Sequence, residues 1–303
     1  MAKELMRELG YRDKDIDFIL SAYSLQSCTN DRIKRNLKDV YCYLLDLGYT
    51  KEEVIKMTRK FPTLCGYTKE KIHNKIDDLI KLGYTKEEVI KLGKKLPSIY
   101  GYSISKIKDR INYLESIGYN KKDILTMGKH LPQLYGMTIK NISTKINDLI
   151  EMGYSEEDVI LMTKDLPSIY SYSIDSMKKK FDNMVNLGYS SDEVLKMTKS
   201  FSTIYGYNTD NIREKIEFYD SIGLHDMVVL YPMRLRQSVD LSYARYEYLK
   251  DMGIEITIDN CKKLFIEEEQ FERSYNIKKA EILDLYNYRK NKEGIVKCKN
   301  YIA

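Results

Sequence analysis

The sequence predicts an all-α superhelical solenoid, and three observations carry this prediction: recurring glycines, prolines in the same register, and apolar residues at helical spacing between them. Successive glycines stand 35 residues apart at Gly48, Gly83, Gly118, Gly153, Gly188 and Gly223. Prolines keep the same period at Pro62, Pro97, Pro132 and Pro167. Periods of this length are typical of stacked helical units.

Residues 83–117 show how one repeat is built. Thr85 and Glu88 have the spacing of a capping box, which predicts that a helix begins there. Pro97 cannot continue the hydrogen-bond ladder, so it ends this helix and starts a short second turn. A second apolar stripe runs to Gly118, which has the position of a helix C′ residue. Each repeat is therefore predicted to hold two long helices and a short helical turn.

The register of the repeat divides the chain into four parts. Residues 1–46 are predicted to form a degenerate N-terminal repeat or cap, and residues 47–222 five regular repeats. Residues 223–253 form a short degenerate repeat that has lost the regular first helix. Residues 254–303 are predicted to form a helical cap that ends in a basic tail. Atypical end repeats are expected because they cover the two exposed faces of a solenoid.

Composition narrows the possible functions. Lys and Arg number 50 and Asp and Glu 45, so the net charge of +5 permits a polyanionic partner without requiring one. Five scattered cysteines without CxxC spacing fit free thiols in a reducing compartment. We expect no metal site, no cofactor, no membrane partner and no enzymatic activity, since no catalytic motif is present. The N-terminus lacks a signal-peptide core, which predicts a cytoplasmic protein, or an organellar one if a transit peptide was removed. We expect the protein to be a monomer.

Two columns are basic in every regular repeat. The first column is Arg59, Lys94, Lys129, Lys164 and Lys199. The second column is Lys75, Arg110, Lys145, Lys180 and Lys215, with Arg245 at the equivalent place in the short repeat. These side chains could lie over the core stripe and keep the surface hydrated. We favour the alternative, in which stacking aligns them as ladders of positive charge that contact nucleic-acid phosphates.

Three further columns are uniform in size. Small polar residues follow the proline position at Thr63, Ser98, Gln133, Ser168 and Thr203, where they could contact bases or cap the short turn. Small residues occupy Thr58, Gly93, Gly128, Thr163 and Thr198, which predicts a close helix contact. Tyrosines align at Tyr100, Tyr135, Tyr170 and Tyr205, and such columns are typical of core packing, with base stacking as the alternative.

The repeat resembles that of the mitochondrial transcription termination factor (mTERF) family. The resemblance rests on LGYTKEEVIKMTRKFPTLCGYT (47–68), LGYTKEEVIKLGKKLPSIYGYS (82–103) and MGYSEEDVILMTKDLPSIYSYS (152–173), and it extends over residues 9–253. It implies three-helix units and a basic concave groove that binds duplex DNA or RNA without catalysis. The function expected is therefore nucleic-acid binding in transcription or RNA metabolism, with duplex and single-stranded ligands both open. The alternative is a scaffold that binds a protein or peptide partner.

Overall fold

The computed structural model describes residues 2–22 and 30–300, and these residues form an all-α helical-repeat solenoid. The α-helices are α1 Ala2–Glu8, α2 Asp13–Ser21, α3 Asn30–Asp46, α4 Lys51–Lys60, α5 Lys69–Leu82, α6 Lys86–Lys95, α7 Ile104–Ser116, α8 Lys121–His130, α9 Ile139–Glu151, α10 Glu156–Asp165, α11 Ile174–Asn186, α12 Ser191–Ser200, α13 Thr209–Ser221, α14 His225–Leu230, α15 Val239–Asp251, α16 Glu268–Tyr275 and α17 Lys279–Asn300. The 3₁₀-helices are η1 Pro62–Gly66, η2 Pro97–Gly101, η3 Pro132–Gly136, η4 Pro167–Ser171, η5 Ser202–Gly206, η6 Pro232–Arg236 and η7 Cys261–Leu264. The chain divides into two compact units, residues 1–146 and 147–303.

Each regular repeat consists of a ten-residue first helix, a 3₁₀-helix and a longer second helix. The predicted capping box is present at α6, where Thr85 Oγ1 accepts from the Glu88 amide at 3.2 Å and Glu88 Oε2 accepts from the Thr85 amide at 3.0 Å. The prolines stand at the first position of their 3₁₀-helices, where a missing N–H costs nothing. The second helix α7 ends at Ser116, and Gly118 follows the C-cap Ile117 with a left-handed φ of 104°, as predicted for a C′ glycine.

Buried tyrosine pairs join consecutive repeats within each unit. Their hydroxyl oxygens lie 2.6 Å apart in Tyr49–Tyr100 and Tyr84–Tyr135, and 2.5 Å apart in Tyr154–Tyr205. A Cβ at Gly128 would lie 2.5 Å from both Tyr84 Oη and Tyr135 Oη, which explains the small-residue column. Where threonine replaces glycine its hydroxyl joins the contact, as in Thr198 Oγ1 at 2.5 Å from Tyr154 Oη. The tyrosine column is therefore core, and its rings are not exposed for base stacking.

The C-terminal part of the chain departs from the regular repeat. The short sixth repeat keeps a first helix, but α14 has six residues where the regular helices have ten. After α15 the chain forms η7, α16 and α17, and α17 continues as helix through Asn300. The guanidinium of Arg289, at the start of the predicted basic tail, lies 2.5 Å from the carboxylate of Asp251. This ion pair fixes α17 against α15.

Candidate nucleic-acid interface

Cations of the first basic column form ion pairs with acids of the preceding repeat. The pairs are Arg59–Asp15 at 3.0 Å, Lys94–Glu53 at 2.8 Å, Lys129–Glu88 at 2.8 Å and Lys199–Asp158 at 3.0 Å. Lys164, the remaining member of the column, also has an interaction partner. The side chains of Arg59, Lys94, Lys129 and Lys199 are 37% to 48% exposed, so they lie at the surface while they link repeats. Phosphate contact by this column stays a prediction, and a phosphate there would compete with a carboxylate.

The acids in these pairs also cap helices. Glu53 accepts from Lys94 through Oε1 and from the Thr50 amide through Oε2. The hydrogen bond from Lys94, followed by that from the Thr50 amide, holds the pKa of Glu53 below its ordinary value. Lys129 and the Thr85 amide lower the pKa of Glu88 in the same way. One carboxylate thus stabilises its own helix and the contact to the next repeat.

This arrangement predicts acid sensitivity. A carboxyl whose pKa is lowered in the folded state stabilises it above its ordinary pKa, here 4.5, and this contribution is lost as pH falls through the lowered value. We expect the urea midpoint to fall between pH 5 and pH 3, and to fall less steeply in the double variant Lys94→Met, Lys129→Met. The control is Lys56→Met with Lys122→Met, two exposed lysines outside these pairs. Identical pH profiles for the two double variants would contradict the assignment.

The second basic column faces backbone carbonyls. Arg110 Nε donates to Met137 O at 2.8 Å, and the ammonium groups of Lys180 and Lys215 donate at 2.5 Å to Tyr205 O and Leu235 O. In each case the carbonyl belongs to the following repeat, in its 3₁₀-helix or directly after it. The cations therefore satisfy carbonyls that a 3₁₀-helix leaves without a partner at its end.

Exposure separates the members of this second column. Lys145, Lys215 and Arg245 are buried, whereas Lys75, Arg110 and Lys180 are half-buried. Burial lowers the pKa of Lys75 and of Lys180 from the ordinary value of 10.5. A phosphate could contact Lys145, Lys215 or Arg245 only if their buried head groups became exposed. Phosphate contact therefore stays a prediction for Lys75, Arg110 and Lys180.

The small polar column has mixed surroundings. Gln133 is exposed, while the other four residues are half-buried. Ser168 Oγ donates to Tyr172 Oη at 3.0 Å within its own repeat. Thr203 lines a cavity described below. A base contact by this column stays a prediction.

A cavity of about 820 Å³ lies in the unit of residues 147–303, and we call it the terminal cavity. Its wall comes from the end of α12, η5, η6, the start of α15 and the turn before α16. Its basic side chains are Lys199, Arg234, Arg236, Arg245 and Lys279, and its acidic ones are Asp165, Glu267 and Glu268. The fold thereby brings together Lys199, Thr203 and Arg245, one residue from each predicted column.

Sequence reasoning missed Arg234 and Arg236. Both lie in η6, whereas the 3₁₀-helices of the regular repeats carry no charge. They occupy the positions of Ile204 and Gly206 in the preceding repeat. The signal in the sequence is a break in two columns that are otherwise apolar or small, whereas the two basic columns are marked by staying basic.

The two arginines differ from the other cations of the terminal cavity. Lys199 is paired with Asp158 and Lys279 with Glu268. Arg234 and Arg236 have no carboxylate within ion-pair distance among the residues that the structure describes. Their guanidinium carbons lie 5.0 Å from the Phe265 ring centre and 5.8 Å from the Phe201 ring centre, respectively. Arg234 Nη1 also donates to Phe265 O at 3.4 Å, a long hydrogen bond that leaves the other N–H groups of this guanidinium for an anion. An aromatic face orients each of the two guanidinium groups.

Arg245 builds the wall of the terminal cavity. It is 3% exposed, and its Nη1 donates to Leu264 O at 2.9 Å and to Ile266 O at 2.8 Å. The guanidinium also stands 4.3 Å from the Phe271 ring centre. Burial lowers the pKa of Arg245, which Glu268 and Glu267 partly counteract. This residue holds the turn before α16 against α15.

Two other features are absent from residues 2–22 and 30–300. Within these ranges no group of three His, Cys, Asp or Glu side chains could hold a metal ion. No helix in the same ranges has the length and apolar content needed to cross a bilayer.

Comparison with protein families identifies the family of the repeat. The mTERF family model matches residues 2–151, 79–186 and 139–272, three overlapping segments that cover most of the chain. The chain belongs to the mTERF family. Membership confirms the resemblance found in the repeats and points to nucleic acid as the ligand class of this helical-repeat protein. No curated protein matches the sequence.

Proposed function

We propose that this mTERF-family protein binds nucleic acid without catalysing a reaction on it, and that it acts in transcription or RNA metabolism. The observation that carries the proposal is the terminal cavity, where cations from α12, η6, α15 and α17 converge. Phosphate contacts dominate the affinity of most nucleic-acid complexes. Arg234 and Arg236 are the first candidates for these contacts, because each would meet a phosphate without first losing a carboxylate partner.

The first basic column supports the same proposal in a secondary way. Its side chains reach the surface at the ends of the first helices, next to the 3₁₀-helices. A phosphate that replaces Glu53 beside Lys94 would exchange one anion for another. Such contacts are expected to add salt-dependent affinity for nucleic acid, while Arg234 and Arg236 contribute the larger share of that affinity.

Binding of labelled oligonucleotides tests this proposal. We expect DNA or RNA of mixed sequence to bind at 50 mM salt and to weaken at 200 mM salt. The double variant Arg234→Gln, Arg236→Gln should lose about tenfold in affinity and reduce the salt slope by roughly 1.4–1.8, since each lost phosphate contact contributes about 0.7–0.9. Fluorescence anisotropy with single-stranded and duplex probes gives both quantities.

The matched control is Lys178→Gln with Lys179→Gln. These exposed lysines of α11 belong to the same unit and carry the same charge, but they do not line the terminal cavity. Equal losses from both double variants would mean diffuse attraction, and no binding at low salt would reject nucleic acid as the ligand.

A further inference from the structure

We infer that the terminal cavity binds the terminal phosphate of a nucleic-acid strand in preference to a phosphate within the strand. The inference rests on the proposed function and specifies which part of the ligand this site takes. The ligand group is a phosphomonoester at a 5′ or a 3′ end.

The two arginines match a terminal phosphate in charge and in geometry. A phosphomonoester carries about −1.5 to −2 charges at pH 7 and three acceptor oxygens, whereas an internal phosphodiester carries a single charge. Arg234 and Arg236 stand two residues apart in η6, and a planar guanidinium fork matches phosphate oxygens in a bidentate manner. Two such groups without carboxylate partners among the described residues fit a dianion better than a monoanion.

One side of the terminal cavity is lined by the turn before α16 and by the start of α17. Residues 265–268 and Lys279 form a wall next to the two arginines. Arg245 holds this wall through two carbonyls, and Gln237 Nε2 adds a hydrogen bond to Leu264 O at 3.2 Å. A strand that continued past the arginines toward α16 would meet this wall.

The wall also carries negative charge. Glu267 is exposed and lines the terminal cavity, whereas the carboxylate of Glu268 is paired with Lys279. A second phosphate placed beyond the first would meet the Glu267 carboxylate and be repelled. The arginines therefore attract one anionic group, and the wall disfavours the next one.

An apolar surface lies beside the cations of the terminal cavity. Met233 is 48% exposed in the terminal cavity, at the position where the regular repeats carry a small polar residue. Leu241, Phe265 and Ile266 line the cavity as well. A volume of about 820 Å³ has room for a sugar and base next to the phosphate, and its size lies in the range of small-ligand pockets.

The experiment compares twelve-residue single strands of one sequence that differ only at their ends. The ends are a 5′ phosphate, a 3′ phosphate or hydroxyl groups alone, and binding to the full chain is followed by anisotropy. We expect one phosphorylated end to bind about tenfold more tightly than the hydroxyl-ended strand. Arg234→Gln with Arg236→Gln should abolish this difference, while Lys178→Gln with Lys179→Gln should keep it. The arm that gains affinity identifies the end.

The outcomes separate this inference from the proposed function. Equal affinity for all three strands would overturn the terminal-phosphate inference and leave nucleic-acid binding intact. Absence of binding by every strand would reject both. A second measurement needs only the wild-type chain: saturating protein should slow removal of the preferred terminal phosphate by alkaline phosphatase. An unchanged rate of removal would also overturn the inference.

Discussion

Replacing Tyr135 with alanine is expected to lower the free energy of unfolding by about 3–5 kcal/mol, the range for deletion of a large buried aromatic ring. Tyr135 is 1% exposed and packs between repeats two and three. Its loss leaves a void beside Gly128, which has no side chain to fill it. It also removes the partner of the Tyr84 hydroxyl, which keeps its bond to Leu125 O at 3.1 Å. Urea unfolding followed by far-UV circular dichroism measures the effect.

The matched variant Tyr135→Phe keeps the ring and removes the hydroxyl. Its expected cost is about 1 kcal/mol, the net contribution of one hydrogen bond. Because stability in a repeat array is carried by neighbouring interfaces, hydrogen exchange in Tyr135→Ala should accelerate in α6, α7 and α8. A loss below 1 kcal/mol for the alanine variant would mean that the tyrosine pair is not a principal contact between these repeats.

The local structure of the repeat could be predicted from the sequence because its signals are local. A capping box such as Thr85–Glu88, the proline that follows the first helix and the glycine at C′ each act within a few residues. Helix bounds follow from them directly. The close contact at Gly128 was also predictable, since only small residues occur in that column, although its partners, two tyrosine hydroxyls, come from different repeats.

The surroundings of the cations could not be predicted in the same way. Spacing places Lys215 beside a core stripe, but it does not reveal that Leu235 O of the next repeat lies 2.5 Å from its ammonium group. A column can stay basic because its residues stabilise the scaffold or because they bind a ligand. Sequence alone did not separate these two reasons for Lys94, whose ion-pair partner Glu53 stands 41 residues before it.

The site residues with the strongest case were marked by a broken pattern. Arg234 and Arg236 replace an apolar residue and a glycine in the one short repeat, so a search for uniform columns passes over them. Departures from a repeat are informative because the scaffold requirement is known at each position. A charged residue that the scaffold does not require indicates either a ligand or a new contact within the protein.

Arg245→Met is expected to have the second large effect, a local loss of about 3–6 kcal/mol, because two hydrogen bonds from a charged group disappear at roughly 1.5–3 kcal/mol each. Methionine retains the apolar length of the side chain but leaves Leu264 O and Ile266 O without their donor. Hydrogen exchange should accelerate in η7 and α16, while the amides of α4 to α7 keep their protection. Arg245→Lys is the matched control, since Lys215 shows that a lysine in this column serves one carbonyl. The loss of stability in Arg245→Lys should be intermediate, and unchanged protection of α16 in the methionine variant would contradict the role of Arg245.

Arg245→Met should also change ligand binding, because it loosens the wall of the terminal cavity. The preference for a phosphorylated end should fall more than the affinity for the hydroxyl-ended strand.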